Sequence, residues 1–257
     1  MTEEVNHDLL VSFEPNDIPG LVSFWDFQNS SDHFIANQGE PYNLQSQSGE
    51  LNVIEDSSAP HGGKALDVKE GQWLNIQRHE CPKLNIHGQE GHLTVVAWIK
   101  RQKTLVNQCE FIAGQWNESQ TGRQYGLFLN ISVWGQHHQI CGHLSNVGGP
   151  TPGYKYCIDG AMAKTEIACN EWVTIAMSYD GNSGYAWLNG VLDTRPGLNP
   201  YSMAGGLHDG GKSGSDFTVG AVDRSGKIGN FFCGQIAGLA VYERALTPAE
   251  LFALSRK

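Results

Sequence analysis

Short apolar runs recur along the chain, and each run ends at a cluster of Gly, Asn, Asp or Pro residues. Many of the runs alternate: between 94 and 100 the odd-numbered residues fall on one face of an extended chain, and Val96 and Trp98 fall on the other. Asn189-Gly190 lies between two such runs and is a strong short-range signal of a β-hairpin. We therefore expect paired antiparallel strands. The clearest predicted strands are 21–27, 93–100, 110–115, 124–130, 139–144, 172–179, 184–188, 216–222 and 234–242.

A helical pattern occurs only near the C-terminal end. Thr247 is the predicted N-cap, Pro248 takes the first helical position and Glu250 the third, which is typical of a helix start. No linker composition or internal repeat divides the chain. We therefore predict one domain over 20–257, preceded by a loosely attached lead-in over 1–19. Its predicted fold class is all-β, a sandwich or jelly roll with one short C-terminal helix.

The charge balance and hydropathy of the chain restrict its partners. The 17 Lys and Arg residues against 27 Asp and Glu residues give a net charge of −10, with no basic block. This argues against nucleic acid or an anionic membrane as a partner. No apolar run approaches the roughly 20 residues of a membrane span. The first ten residues lack the basic start of a secretory signal, so we expect a cytoplasmic location unless a signal was removed. The oligomeric state is left open.

Six cysteines are spread along the chain, and no CxxC pair occurs among them. This spacing is typical neither of a zinc ribbon nor of a dense disulfide scaffold. We therefore expect small buried thiols. Cys141 and Cys157 could pair if their strands were neighbours.

Six ordered segments resemble one known superfamily. They are GLVSFWDF at 20–27, LTVVAWIK at 93–100, EWVTIAMSYDG at 171–181, AWLNG at 186–190, FTVG at 217–220 and GQIAGLAVYERALTPAE at 234–250. In this order they resemble the concanavalin A-like lectin/glucanase superfamily, specifically the laminin-G-like jelly-roll domains of bacterial proteins, over residues 21–254. The resemblance implies two antiparallel sheets, one of them concave, and frequent sugar binding. The fold alone does not define the function.

The same resemblance implies a structural Ca²⁺ between the opening strand and an acidic residue of the last strand. Asp26 is available as a ligand, but the usual acidic position of the last strand is Ala237. Because Ca²⁺ takes about 6–8 oxygen ligands, this replacement favours an absent or rearranged site. No motif indicates an organic cofactor.

Carboxylate pairs of the kind that hydrolyse glycosides are missing from the predicted strands. Retaining glycosidases hold two acids about 5–5.5 Å apart, a separation that residues two apart on a strand provide. A polysaccharide lyase is an alternative, because His143 or Tyr154 could act as the base while Lys155 or Arg224 neutralises a uronate carboxylate. The lyase pattern, however, has His at the position of Cys141. An enzymatic activity is left open, and a non-catalytic function is favoured.

Polar and aromatic residues gather in 134–156, in 223–230 and around 199–209. A sugar needs a planar apolar platform under its C–H face and polar groups at its hydroxyls. The predicted carbohydrate-binding residues are Arg123, Gln139, His143, Tyr154, Lys155, Tyr156, Tyr201, Asp223 and Arg224, with Trp134 as a further platform. Two long glycine-rich loops, 145–153 and 205–214, lie beside them and indicate the same region.

The leading interpretation is a lectin-like domain that binds a polysaccharide or another glycan without catalysis. The alternatives are a polysaccharide-active enzyme, chiefly a lyase, and a protein-interaction module without a glycan ligand.

Overall fold

A computed structural model describes residues 13–103, 108–119, 121–129, 131 and 138–256. The strands in chain order are Leu21–Trp25 (β1), His33–Ile35 (β2), Gln38–Gly39 (β3), Asn43–Ser46 (β4), Val53–Glu55 (β5), Lys64–Val68 (β6), Leu74–Ile76 (β7), Leu93–Arg101 (β8), Glu110–Trp116 (β9), Arg123–Leu129 (β10), Ile140–Leu144 (β11), Gly160–Met162 (β12), Trp172–Tyr179 (β13), Ser183–Leu188 (β14), Val191–Leu192 (β15), Tyr201–Ser202 (β16), Phe217–Val219 (β17), Val222–Asp223 (β18), Ile228–Gly229 (β19) and Gly234–Tyr242 (β20). The helices are Pro60–Gly63 (α1) and Pro248–Leu254 (α2), and short 3-10 turns occupy Pro15–Asp17, Arg78–Glu80, Pro82–Leu84 and Gly211–Ser213.

Two large antiparallel sheets contain most of these strands. The first has the order β15-β14-β13-β8-β20-β1-β3, with β6 also paired to β20, β5 paired to β6, and β16 paired to β14. The second has the order β12-β11-β10-β9-β17-β7-β4-β2. A separate hairpin joins β18 and β19. The predicted all-β sandwich with one short C-terminal helix is confirmed.

The main core lies between the two sheets and follows from the alternation of the strands. In β8, Val95 and Ala97 belong to the large buried cluster, whereas Val96 and Trp98 belong to a second cluster on the outer face of the first sheet. The helix α2 covers this outer face, and Trp98 donates a hydrogen bond from Nε1 to the carbonyl oxygen of Leu254 at 3.2 Å. The predicted faces of the strand are therefore the observed ones.

Turn chemistry sets several of the strand ends. Asn189-Gly190 connects β14 to β15, with Leu188 opposite Val191, as predicted. The predicted strand over 216–222 is instead two strands, β17 and β18. Gly220 lies between them at φ +83°, a left-handed conformation that interrupts a strand.

The described part of the lead-in packs on the first sheet. Ile18 is buried in the outer cluster, and the Tyr242 hydroxyl donates to the carbonyl oxygen of Pro15 at 3.0 Å. Arg244 Nε donates to the carbonyl oxygen of Pro19 at 2.6 Å. Residues 13–19 are therefore held against the sheet.

The six cysteines are free thiols, so Cys141 and Cys157 are not joined. Three of them are buried, namely Cys81, Cys141 and Cys157. Within the described residues, no helix has the length and apolar character needed to cross a membrane.

Candidate functional site

A small cavity opens on the outer face of the second sheet, where β9 ends and β10 begins. Its volume is about 60 Å³. Residues from five separate parts of the chain line it: Cys109, Trp116, Glu118, Arg123, Phe128, Ile131, His143, Tyr156, Cys157 and Asn230. We call this the β9–β11 cavity. It combines an aromatic floor with charged and amide side chains.

Strand register brings the floor residues together. Arg123 pairs with Trp116 across β10 and β9, and Phe128 pairs with Cys141 across β10 and β11. Directly opposed residues in antiparallel strands project from the same face of the sheet. Gly126 lies opposite His143, and a Cβ at Gly126 would approach the rings of Phe128 and Phe111 to 2.8 and 2.9 Å. A glycine is therefore needed for these rings to close over the strand.

His143 forms part of the floor and is only 4% exposed. Its ring centroid lies 5.2 Å from the rings of both Trp116 and Phe128. Nδ1 donates a hydrogen bond to the carbonyl oxygen of Asp159 at 2.9 Å, since a carbonyl can only accept. Burial lowers the pKa of His143 to about 4. The imidazole is therefore neutral at pH 7.

Arg123 lies on the same face and is 6% exposed. Its Nη1 donates to the carbonyl oxygen of Ser119 at 2.8 Å, and its Nη2 donates to the carbonyl oxygen of Glu118 at 3.1 Å. These bonds hold the turn after β9 in place. They also leave the guanidinium charge beside the cavity.

The segment 154–156 forms the exposed rim. Tyr154 is 56% exposed and Tyr156 is 61% exposed, and Lys155 Nζ lies 5.1 Å from the centre of the Tyr156 ring. The loop that carries them is fixed at its base by the Asp159 carboxylate. This carboxylate accepts hydrogen bonds from the Thr151 hydroxyl at 2.6 Å and the Tyr201 hydroxyl at 2.7 Å. The two tyrosines are thus presented to solvent on an anchored loop.

Glu118 forms the opposite wall of the cavity, and residues of the β18–β19 hairpin and directly after it hold Glu118 in place. One Glu118 oxygen lies 3.5 Å from Arg224 Nε, and the other accepts from Asn230 Nδ2 at 3.3 Å. Asp223 accepts from Asn117 Nδ2 at 3.2 Å. Asp223 and Arg224 therefore hold Asn117 and Glu118 in position at this wall.

The structure brings most of the predicted binding residues to this region. Arg123, His143 and Tyr156 line the cavity, and Tyr201 supports the rim from behind through Asp159. Tyr154 and Lys155 belong to the rim, and Asp223 and Arg224 to the wall. Gln139 is the exception: it precedes β11, four positions from His143 and about 13 Å away along the strand. Trp134 lies outside the described residues.

Seven lining residues were not among the predicted binding residues, and three of them, Trp116, Glu118 and Asn230, add an aromatic face or a polar group to the cavity. Trp116 directly follows the predicted strand over 110–115, so an aromatic residue at a strand end was the available signal. Asn230 is the last residue of the polar stretch predicted over 223–230, whereas nothing local singled out Glu118. Their role at the cavity comes from hydrogen bonds between distant segments.

Asp26 lies far along the chain from the cavity residues, directly after β1. Its Oδ2 accepts from Asn37 Nδ2 at 2.7 Å, its carbonyl oxygen accepts from Gln28 Nε2 at 2.8 Å, and burial raises the pKa of its carboxyl. Ala237 is buried in β20. In the described part of the chain, no group of three or more His, Cys, Asp or Glu side chains is arranged to hold a metal ion. The oxygens of Asp26 are thus used in internal hydrogen bonds, and its role as a Ca²⁺ ligand stays a prediction.

The low pKa of His143 makes this residue poorly suited to proton transfer at neutral pH. A general base works best when its pKa lies near the operating pH. A pKa of about 4 makes His143 a weak base at neutral pH. The cavity can offer an aromatic surface, a cation and hydrogen-bond donors to a ligand.

A family model described as the concanavalin A-like lectin/glucanases superfamily matches residues 78–252, more than half of the chain. No curated protein sequence matches the chain. Among solved structures, domain 4 of AbnA, a GH43 extracellular arabinanase from Geobacillus stearothermophilus in complex with arabinotriose, is similar with a TM-score of 0.56 and 16% identity, covering 91% of this chain and 98% of that one.

Two further structures share the fold at low identity. The binding domain of Paraclostridial Mosquitocidal Protein 1 has a TM-score of 0.63 and 14% identity, covering 94% of this chain and 52% of that one. A mutant of Trypanosoma rangeli sialidase displaying trans-sialidase activity has a TM-score of 0.57 and 14% identity, covering 92% of this chain and 33% of that one. This chain therefore spans about half of the mosquitocidal protein chain and about a third of the sialidase chain. At these identities, the likeness shows the fold alone.

Proposed function

The chain belongs to the laminin-G-like family of the concanavalin A-like lectin/glucanases superfamily, and from that premise we propose that it binds carbohydrate without catalysis. The observation that carries the proposal is the β9–β11 cavity with its two exposed tyrosines at the rim. Sugars bind where an aromatic face meets a few fixed polar groups. This cavity has both.

The aromatic face comes from Tyr154 and Tyr156. Single exposed aromatic residues are common, but these two lie close together on an anchored loop, and a contiguous exposed apolar patch often marks a binding site. Lys155 lies over the Tyr156 ring. The arabinotriose complex of the arabinanase domain and the sialidase likeness support a glycan as the ligand.

The polar groups come from buried and fixed side chains. Arg123 and Asn230 line the cavity and are both nearly inaccessible to bulk water. Their positions are set by hydrogen bonds to the Glu118 backbone and carboxylate. A preorganised site loses little side-chain entropy when it binds a ligand, which favours useful affinity at a shallow surface.

Affinity electrophoresis against a panel of neutral and acidic polysaccharides tests the proposal. We expect retardation by at least one polysaccharide. Tyr154→Ala and Tyr156→Ala combined should weaken this binding at least tenfold, about 1.4 kcal/mol. Phe252→Ala is the matched control, because Phe252 is an aromatic residue 41% exposed on α2, over the other sheet.

Two results would overturn the proposal. No retardation by any polysaccharide would favour the protein-interaction alternative. Release of unsaturated ends absorbing in the ultraviolet from a uronate polymer, abolished by His143→Ala, would show that the site is a lyase instead.

A further inference from the structure

Three buried arginines occur in the described part of the chain, and they differ in what balances their charge. Arg101 forms a close ion pair with Glu110, and Arg78 lies 3.5 Å from an Asp209 carboxylate oxygen. Arg123 has no carboxylate within 4.0 Å among the described residues, and its guanidinium donates to two backbone carbonyls. A buried cation without a counter-charge is costly, because an arginine stays protonated at any ordinary pH.

An acidic side chain that lines the cavity is already engaged. The Glu118 carboxylate interacts with Arg224 and with Asn230. It gives Arg123 only its backbone carbonyl oxygen. The charge of Glu118 is therefore balanced by Arg224, and that of Arg123 is left for a ligand.

Arg123 also has donors to spare. A guanidinium has five N–H groups, and two of them are used in bonds to described residues. A carboxylate takes two parallel N–H donors from one guanidinium, and this pairing is stronger than a neutral hydrogen bond. Neighbouring His143 is neutral at pH 7 and so adds neither a competing cation nor an anion.

The size of the cavity limits what can enter. A volume of about 60 Å³ is enough for a group of a few heavy atoms, such as a carboxylate. A ring whose small substituent reached Arg123 would lie outside the cavity, against Tyr156. One sugar residue can then contact Arg123 through its substituent and Tyr156 through its ring.

We infer that the β9–β11 cavity takes the carboxylate of an acidic sugar residue, a uronate or a sialate, with Arg123 as its counter-charge and Tyr156 against the sugar ring. This inference rests on the proposed carbohydrate binding and narrows it to a substrate class. It also predicts that affinity falls with rising ionic strength, because the interaction is between opposite charges.

The test compares ligands that differ only in charge. Polygalacturonate and polysialic acid are each measured against their methyl esters, with a neutral galactan alongside, by affinity electrophoresis and calorimetry. We expect the acid form of one polymer to bind at least about tenfold more tightly than its ester. Arg123→Gln should remove this preference, and Arg123→Lys should keep part of it. The control is Arg256→Gln, an exposed cation on the far side of the molecule.

The outcomes separate the two proposals. Equal affinity for acid and ester, or binding of the neutral galactan alone, would overturn the inference and leave carbohydrate binding standing. No binding to any polymer would overturn both. An acid preference retained in folded Arg123→Gln protein would also refute it.

A second readout does not depend on the variant folding. Part of the lowering of the His143 pKa comes from the Arg123 charge, after the larger effect of burial. A bound carboxylate would offset that charge. Saturation of the wild-type protein with trigalacturonate or a sialic acid oligomer should therefore raise the His143 pKa in an NMR titration, and no rise with either ligand would contradict the inference.

Discussion

His143 should make the protein less stable as the pH falls from 7 to 4. In the folded protein, burial lowers its pKa from 6.5 to about 4. The unfolded chain therefore binds a proton below pH 6.5, while the folded protein resists protonation until about pH 4. Stability is fully present above pH 6.5 and is lost through this window, by about 3 kcal/mol in total, because each tenfold difference in proton affinity is worth about 1.4 kcal/mol.

Urea unfolding of the wild type and of His143→Asn between pH 7 and 4 measures this contribution. The asparagine amide can still donate to the Asp159 carbonyl oxygen, as His143 Nδ1 does, but it does not titrate. Between pH 7 and 5, the free energy of unfolding of the wild type should fall by about 2 kcal/mol relative to that of His143→Asn. All other titrating groups are common to both proteins and cancel in the difference. A difference that stays constant over this range would refute the burial argument.

Three further changes have defined outcomes. Glu110→Gln should lower the free energy of unfolding in urea by about 3–5 kcal/mol, because buried Arg101 loses its carboxylate, whereas the combined change of Arg101 and Glu110 to Met should cost less. Thr247→Ala should cost about 1 kcal/mol in the same assay, since Thr247 caps α2. Chelation of Ca²⁺ should leave the melting midpoint unchanged, and a clear fall would show that the folded protein holds a Ca²⁺ ion.

The long strands could be predicted from the sequence because their signals are local. The predicted strand over 172–179 has the bounds of β13, and Asn189-Gly190 fixes the hairpin after it. Alternation of apolar residues and turn chemistry act over a few residues, so both are visible without the fold.

The short strands between 33 and 76 carry no such signal. They are two to five residues long, and some of them pair with segments far away in the chain. Asn75, for example, pairs with Thr218. Such strands exist because a neighbour is already in place, and their own residues do not determine them.

The candidate site was predictable in its residue types and not in its geometry. Exposed Tyr154 and Tyr156 follow a Pro-Gly turn, which projects the chain outward. The burial of Arg123 and His143 depends on their registers with β9 and β10, and these arise only in the assembled sheet. The uncompensated charge of Arg123 is therefore a tertiary property.

Glycine is abundant in both long loops, but its structural role differs between them. In 205–214, a Cβ at Gly214 would approach Cζ of Arg78 to 2.4 Å, and Arg78 Nε donates to the carbonyl oxygen of Gly211. The glycines of this loop let the backbone wrap a buried guanidinium, which is a packing requirement.

In 145–153 the connection to the candidate site is direct. A Cβ at Gly148 would approach the ring of His208 to 2.4 Å, so the two loops pack against each other. The Gly148 carbonyl oxygen accepts the backbone N–H of Arg123 at 3.0 Å. The loop 145–153 thus positions Arg123, to which we assign the counter-charge for the ligand carboxylate. The loop 205–214 packs against the loop 145–153. At Gly148 and Gly214 the absence of a side chain allows a close approach of the backbone to another residue, and this bears on binding only where the residue held in this way faces the cavity.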